Sequence, residues 1–103
     1  MSKKKFLFYT PQSKSGLKES LSILKEKVSK EKIKEIHNSI LDRAETLREN
    51  PEIGQLEPLL SHLDQSHRRV IESHYKIIYL VQDDEIIITD IFDSRQNPRK
   101  MKG

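Results

Sequence analysis

The segment from His67 to Pro98 limits the fold more than any other part of the chain. It contains three apolar runs, Val70–Ile71, Ile77–Val81 and Ile86–Phe92, which are rich in Ile, Val and Tyr and are bounded by charged or turn-forming residues. Short runs of this composition are typical of β-strands, and strands so close in sequence pair most simply with their chain neighbours. The segment therefore predicts a three-stranded antiparallel meander.

Alternation along the strands predicts two sheet faces of different character, because successive side chains of a strand point to opposite faces. In the middle strand one face receives Tyr75, Ile77, Tyr79 and Val81. In the last strand alternation groups Ile86, Ile88, Asp90 and Phe92. We expect helices to cover the apolar face and the other face to stay concave and open. Asp90 lies within an apolar strand, so a structural partner for it is expected, such as an Arg or Lys on a neighbouring strand.

The N-terminal half predicts one strand and two helices. Phe6–Tyr9 is a nearly continuous apolar run, which predicts a strand covered on part of both faces. Thr10-Pro11 is a helix-start signal, and Gly16 is expected to weaken the helix that follows by about 1 kcal/mol relative to alanine. The apolar stripe of that helix is Leu17, Leu21, Leu24 and Val28.

A second helix is predicted from the N-cap Ser29 to the stop signal Asn50-Pro51. Because its connection to the first helix is short, the two helices should form an antiparallel hairpin against the sheet. The loop that follows, Pro51–Asp64, is expected to be pinned to the core by Leu56, Leu59, Leu60 and Leu63. The predicted fold class is α+β: an N-terminal strand, an α-helical hairpin and a three-stranded antiparallel meander, with the helices packed on one face of the sheet.

Length and composition narrow the possible classes of protein. A chain of 103 residues accommodates one domain, residues 1–103. It has no cysteine, which excludes disulfides and thiolate metal sites. The net charge of +3 permits an anionic partner without requiring one. Since no apolar run reaches secretory or membrane-spanning length, a cytoplasmic protein with no membrane partner is expected.

Short motifs follow one another in a particular order along nearly the whole chain. They are Thr10-Pro11, Glu49-Asn50-Pro51-Glu52 with Gly54 just beyond, Arg68-Arg69-Val70, Tyr75-Lys76-Ile77-Ile78-Tyr79, Ile86-Ile87-Ile88 and Phe92-Asp93-Ser94-Arg95-Gln96-Asn97-Pro98. Each motif is weak alone, but their combination resembles the RelE/ParE superfamily of bacterial toxins from type II toxin–antitoxin modules.

The resemblance implies a toxin that arrests growth and is neutralised by a cognate antitoxin protein. RelE-like members cleave messenger RNA on the ribosome, whereas ParE-like members inhibit DNA gyrase. Gyrase inhibition is slightly preferred here, because the C-terminal segment lacks the Tyr or His that RelE-like nucleases commonly carry there, although the basic charge favours RNA. The alternatives are a ribosome-dependent mRNA endoribonuclease and an inactive antitoxin-binding module, so whether the chain is an enzyme stays open.

Metal-independent RNA cleavage needs a base, an acid and cations around one phosphate. If the chain is a nuclease, the resemblance places catalytic cations at Lys76 and Arg95. The candidates for proton transfer are His74 and His67, whose side chains have a suitable unperturbed pKa. The candidate binding residues are Arg68, Arg69 and Arg99. We expect no cofactor and no metal, since no Gly-rich phosphate loop or metal-ligand spacing is present.

Overall fold

One five-stranded sheet organises residues 4–103, the part of the chain that the computed structural model describes. Its strands are β1 (Phe6–Tyr9), β2 (Gln55–Leu56), β3 (Arg68–Glu72), β4 (Tyr75–Gln82) and β5 (Glu85–Asp93), in the order β1-β5-β4-β3-β2. β1 runs parallel to β5, and every other neighbouring pair is antiparallel. The predicted meander is confirmed as β3 to β5, and the sheet gains β1 and the two-residue β2 at its edges.

Two helices connect β1 to the rest of the sheet, α1 (Pro11–Ser22) and α2 (Lys30–Glu45). Both predicted N-caps are confirmed: the Thr10 hydroxyl accepts a hydrogen bond from the Ser13 amide at 3.0 Å, and the Ser29 hydroxyl accepts one from the Lys32 amide at 3.1 Å. Because α1 ends at Ser22, the last residues of its predicted stripe lie in the turn beyond it, where they still pack against the core. The described part of the chain also forms three short 3₁₀ helices, Thr46–Arg48, Pro58–Leu63 and Pro98–Lys100.

The main core lies between the helices and the sheet. Its buried members are Leu17, Leu21, Leu24, Ile40, Ala44, Leu47, Val70, Tyr75, Ile77, Tyr79, Ile86, Ile88 and Ile91. The Tyr79 hydroxyl donates to the Pro51 carbonyl at 2.8 Å and accepts from the Gly54 amide at 3.0 Å. Tyr79 thus both fills the core and anchors the loop that follows α2.

A β-bulge in β5 overturns part of the predicted side-chain alternation. Ile78 pairs with Asp90 but Tyr79 pairs with Ile88, so Thr89 lies opposite no residue of β4. Beyond the bulge Ile91 joins the helix-covered face and Phe92 turns to the other face. The grouping of Phe92 with Ile86 and Ile88 was therefore wrong, because it assumed an unbroken strand.

The second face of the sheet, opposite the helices, is not open along its whole length, contrary to expectation. Leu60 from the 3₁₀ helix Pro58–Leu63 and Met101 from the C-terminal segment pack there on Ile78 and Phe92. Of the four leucines predicted to pin the loop, only Leu60 is buried. These groups cover the β4 side of the second face with the protein's own side chains.

The β1 side of the second face stays exposed. Phe6 and Phe8 are 61% and 49% exposed, whereas Leu7 and Tyr9 pack against the main core. The prediction that β1 is covered on part of both faces therefore holds mainly for the helix-covered face, because β1 is an edge strand with helices on only one side.

Gly16 allows close packing between α1 and β5, a role that its low helix propensity does not indicate. A Cβ atom there would lie 2.6 Å from the Ile91 carbonyl oxygen and 2.7 Å from Asp90 Oδ1. The missing side chain is what allows α1 to approach the backbone of β5.

We predict that Gly16→Ala lowers the free energy of unfolding by about 1–2 kcal/mol, because the overpacking cost exceeds the gain of about 1 kcal/mol in helix propensity. Urea denaturation followed by circular dichroism measures this change. Ser15→Ala, on the exposed side of the same helix, serves as the control and should be neutral or stabilising. A stabilised Gly16→Ala would show that the close approach is not needed.

Candidate functional site

Lys76 is engaged by a buried carboxylate on the second face of the sheet. Its Nζ donates to Glu57 Oε1 at 2.6 Å, and the Glu57 side chain is only 1% exposed. Arg69 Nη1 lies 3.8 Å from Glu57 Oε2. Two of the predicted cations therefore neutralise one carboxylate. The same carboxylate accepts a hydrogen bond from the Leu59 amide at 3.3 Å and so caps the 3₁₀ helix Pro58–Leu63.

Arg95 forms a second ion pair, at the end of β5. Its Nε and Nη2 donate to the two carboxylate oxygens of Asp93 at 3.0 and 2.8 Å, the side-on geometry preferred by guanidinium and carboxylate. The hydrogen bonds from Arg95 hold the pKa of Asp93 below its ordinary value. Asp93 is buried, but about half of the Arg95 side chain remains in solvent.

Lys76 and Arg95 act on different faces of the sheet. Arg95 binds Asp93, which lies two positions after Ile91 of the main core and so is on the helix-covered side at the end of β5. Lys76 is the next residue along β4 and points to the second face, toward Glu57. The two predicted catalytic cations therefore pair with different carboxylates and do not lie at one point.

The two candidate histidines lie in different environments. His74 is exposed in the turn between β3 and β4. His67 is only 2% exposed, and neither ring nitrogen has a hydrogen-bond partner within residues 4–103. Gly103 lies directly against the His67 ring, since a Cβ at Gly103 would come within 2.6 Å of Nε2. Burial lowers the pKa of His67.

The three candidate binding arginines are dispersed. Arg68 Nη1 donates to the Gly54 carbonyl at 2.7 Å, and Arg69 Nη1 donates to the Leu56 carbonyl at the same distance. Arg99 is exposed in the 3₁₀ helix Pro98–Lys100. The structure thus brings together Arg69 and Lys76 at Glu57, whereas Arg95 pairs separately with Asp93.

Sequence reasoning missed Glu57 and found no partner for Asp90. Glu57 precedes Pro58, an order that favours a cap at the start of a helical turn, and this was the available signal. The Asp90 side chain accepts from the backbone amides of Ile91 at 2.9 Å and Lys102 at 2.8 Å, where an Arg or Lys side chain was expected. Burial raises the pKa of Asp90, which these two amides oppose.

This arrangement restricts the chemistry available. Among residues 4–103 no group of three or more His, Asp or Glu side chains could hold a metal ion. No helix in this range is long and apolar enough to span a membrane.

Comparisons with known proteins agree with the fold. A family model described as the ParE toxin of the type II toxin–antitoxin system parDE matches residues 7–98. A solved structure from the chromosomal ParDE toxin–antitoxin system of P. aeruginosa superposes with a TM-score of 0.72 at 19% sequence identity, covering 89% of this chain and 98% of that one. No curated protein matches the sequence. At this identity the structural likeness concerns the fold alone.

We predict that Lys76→Met lowers the free energy of unfolding by about 3 kcal/mol, because it leaves the buried Glu57 carboxylate with only the more distant Arg69. Chemical denaturation at pH 7 measures the loss. Lys100→Met removes an exposed lysine and should have no effect. Adding Glu57→Leu to Lys76→Met should recover much of the loss, and a failure to recover would contradict the role of the buried charge.

We also predict that stability falls between pH 7.5 and 5.5 through His67. Because the pKa of His67 is lower in the folded protein than the unfolded value of 6.5, the unfolded state binds the proton more tightly. The contribution of the uncharged His67 to stability is therefore present above pH 6.5. It is lost as the pH falls from 6.5 toward the lower pKa of the folded state. Urea midpoints at the two pH values should differ less in His67→Gln than in the wild type. The exposed His62→Gln should keep the wild-type difference, and an unchanged difference in His67→Gln would refute the assignment.

Proposed function

The chain belongs to the ParE toxin family of type II toxin–antitoxin systems, and we propose that it arrests growth by inhibiting DNA gyrase. Gyrase acts on DNA in the cytoplasm, so the protein would work there, held inactive by a cognate antitoxin. The antitoxin proposal follows from family membership, and the choice of gyrase follows from the state of the candidate site.

The ion pair between Lys76 and Glu57 is the observation that carries this choice. A metal-independent nuclease needs free cations to stabilise the charge that develops on the phosphate, together with an acid and a base in contact with it. Lys76 is 2.6 Å from a carboxylate that is itself almost fully buried, so binding a phosphate would require breaking that pair. The pairing of Lys76 therefore supports a toxin that does not cleave RNA.

The other candidate groups support the same proposal. His67 is buried beneath Gly103 and cannot reach a substrate in this arrangement. Arg95 and Arg99 keep cationic groups in solvent on the C-terminal segment, where they suit contact with a protein–DNA complex. A toxin that binds its target needs such a surface but no acid or base.

We predict that the purified chain inhibits supercoiling by gyrase and increases the amount of cleaved DNA held by the enzyme, while purified translation is unaffected. Lys76→Arg preserves the ion pair and should leave gyrase inhibition within about twofold of the wild type, because this side chain has a structural role. Arg95→Ala/Arg99→Ala should weaken inhibition, since it removes exposed cations.

The opposite results identify the alternatives. Codon-phased cuts in messenger RNA that disappear in Lys76→Arg would establish the ribonuclease and refute gyrase inhibition. A folded protein that leaves both gyrase and translation unaffected, yet binds its antitoxin, would be an inactive binding module.

A further inference from the structure

We propose that residues 98–103 form a pH-sensitive strap, which opens from the second face of the sheet when His67 takes up a proton. The strap consists of the 3₁₀ helix Pro98–Lys100 and the three residues that follow it. It contacts β5 and β4 through Met101 and reaches His67, which lies immediately before β3. This movement is independent of the toxin's target.

The strap is attached to the rest of the fold by few contacts. Met101 is 7% exposed and packs in the small apolar cluster of the second face. The Lys102 amide donates to Asp90 Oδ2 at 2.8 Å, and the exposed Gln12 Nε2 donates to the Gly103 carbonyl at 3.3 Å. Among residues 4–103 the strap forms no ladder with any strand. A segment held in this way opens locally at a lower free energy than the sheet itself.

The last contact of the strap covers the His67 ring. The ring is 2% exposed, and its Nε2 edge faces Gly103, where a Cβ would come within 2.6 Å. Neither ring nitrogen has a hydrogen-bond partner in the described part of the chain. Protonation would add a charge and a second N–H donor to this enclosed site, and both are costly without a partner or water. The imidazolium therefore favours an arrangement in which the strap has lifted and the ring reaches water.

The charged groups around His67 do not supply the missing partner. Glu57 and Asp64 line the same pocket as the ring, but Glu57 is already paired with the two cations described above. Asp64 is exposed, and it forms no hydrogen bond with the ring. The register of β3 and β4 extends to the apolar Leu80 opposite His67. On the strap itself, Lys102 adds a positive charge, which opposes protonation in the closed arrangement.

The direction of the pH dependence follows from proton linkage. Burial lowers the pKa of His67 beneath the closed strap, whereas an uncovered imidazole titrates near its ordinary value of about 6.5. The open arrangement therefore binds the proton more tightly, and the equilibrium shifts toward it as the pH falls below that value. Between pH 7.5 and 5.5 the equilibrium constant for opening should rise by up to about tenfold.

Opening changes the surface that the protein presents. Met101 leaves the cluster, which uncovers Ile78 and Phe92, and the exposed cations Arg99 and Lys100 move with the strap. This part of the second face is thus covered at neutral pH and becomes more accessible in acid.

Hydrogen exchange followed by NMR on the full chain provides the test, because the Lys102 amide is held by Asp90 only while the strap is closed. Its protection factor is corrected for the effect of pH on intrinsic exchange. We expect this factor to fall about five- to tenfold between pH 7.5 and 5.5. At both pH values it should also be at least about tenfold lower than those of Ile77 and Ile88, which lie in the central strands.

Two variants assign the pH dependence. In His67→Gln the change in the Lys102 protection factor should shrink to within about twofold, whereas the exposed His62→Gln should keep the wild-type change. A change that persists in His67→Gln would assign the pH dependence to Asp90, the carboxyl group that binds the strap, and would overturn the proposal.

A reciprocal measurement on the wild-type histidine keeps the test decisive even if His67→Gln does not fold. Coupling between the strap and the proton acts in both directions, so a variant that loosens the strap must raise the pKa of His67. Met101→Ala removes the buried anchor and should lower the Lys102 protection factor at pH 7.5 while raising the pKa of His67, read from its imidazole NMR shifts. Lys100→Ala changes an exposed residue of the same strap and should leave both quantities unchanged.

Three further results would overturn the proposal. The first is a Lys102 protection factor that does not depend on pH. The second is a factor equal to those of Ile77 and Ile88, which would identify global unfolding rather than opening of the strap. The third is a pKa of His67 that stays unchanged in Met101→Ala. Gyrase inhibition is not measured in these experiments, so their outcome is separate from that of the proposed function.

Discussion

The burial of the Glu57 carboxylate is the constraint on which the second face of the sheet depends. A carboxylate that is 1% exposed is stable only with charged and hydrogen-bonded partners, and Lys76, Arg69 and the Leu59 amide supply them. These partners hold the 3₁₀ helix Pro58–Leu63 against β4, which places Leu60 on Ile78 and Phe92. The polar network and the small apolar cluster therefore stabilise each other.

This network also determines which charges remain available for binding. Lys76 and Arg69 form ion pairs with the buried Glu57. Arg95 forms an ion pair with Asp93, and about half of its side chain remains in solvent. The lysines of α1 are left without carboxylate partners among residues 4–103. A cation on a strand can thus be used within the fold rather than for binding, because a neighbouring buried carboxylate pairs with it.

The local parts of the fold could be predicted from the sequence. The caps at Thr10 and Ser29 and the meander all follow from short-range patterns, and the family motifs led to the correct fold class. The bulge at Thr89 could not be predicted, because one additional residue does not noticeably change the amino-acid composition of a strand. The hydrophobic pattern also did not distinguish Leu60, which is buried, from Leu59, which is about half exposed.

The partners of the candidate site residues could not be predicted, for a related reason. The side chains of Lys76 and Arg95 contact Glu57 and Asp93, and neither contact is indicated by sequence spacing or composition alone. Partner choice of this kind is decided by tertiary packing. His67 illustrates the same limit, since nothing in its sequence neighbourhood indicates that Gly103 covers the ring.

The parallel pairing of β1 with β5 has a consequence for the order in which the chain folds during synthesis. Phe6 pairs with Glu85 and Tyr9 with Ile88, so the first strand to be synthesised has as its sheet neighbour the last. Such distant pairing slows folding, because a long loop must close before the contact forms. A nascent chain interrupted before β5 would carry β1 with its phenylalanines unpaired, and such a fragment would be prone to aggregation and degradation. Only a chain that has been synthesised through β5 can close this sheet.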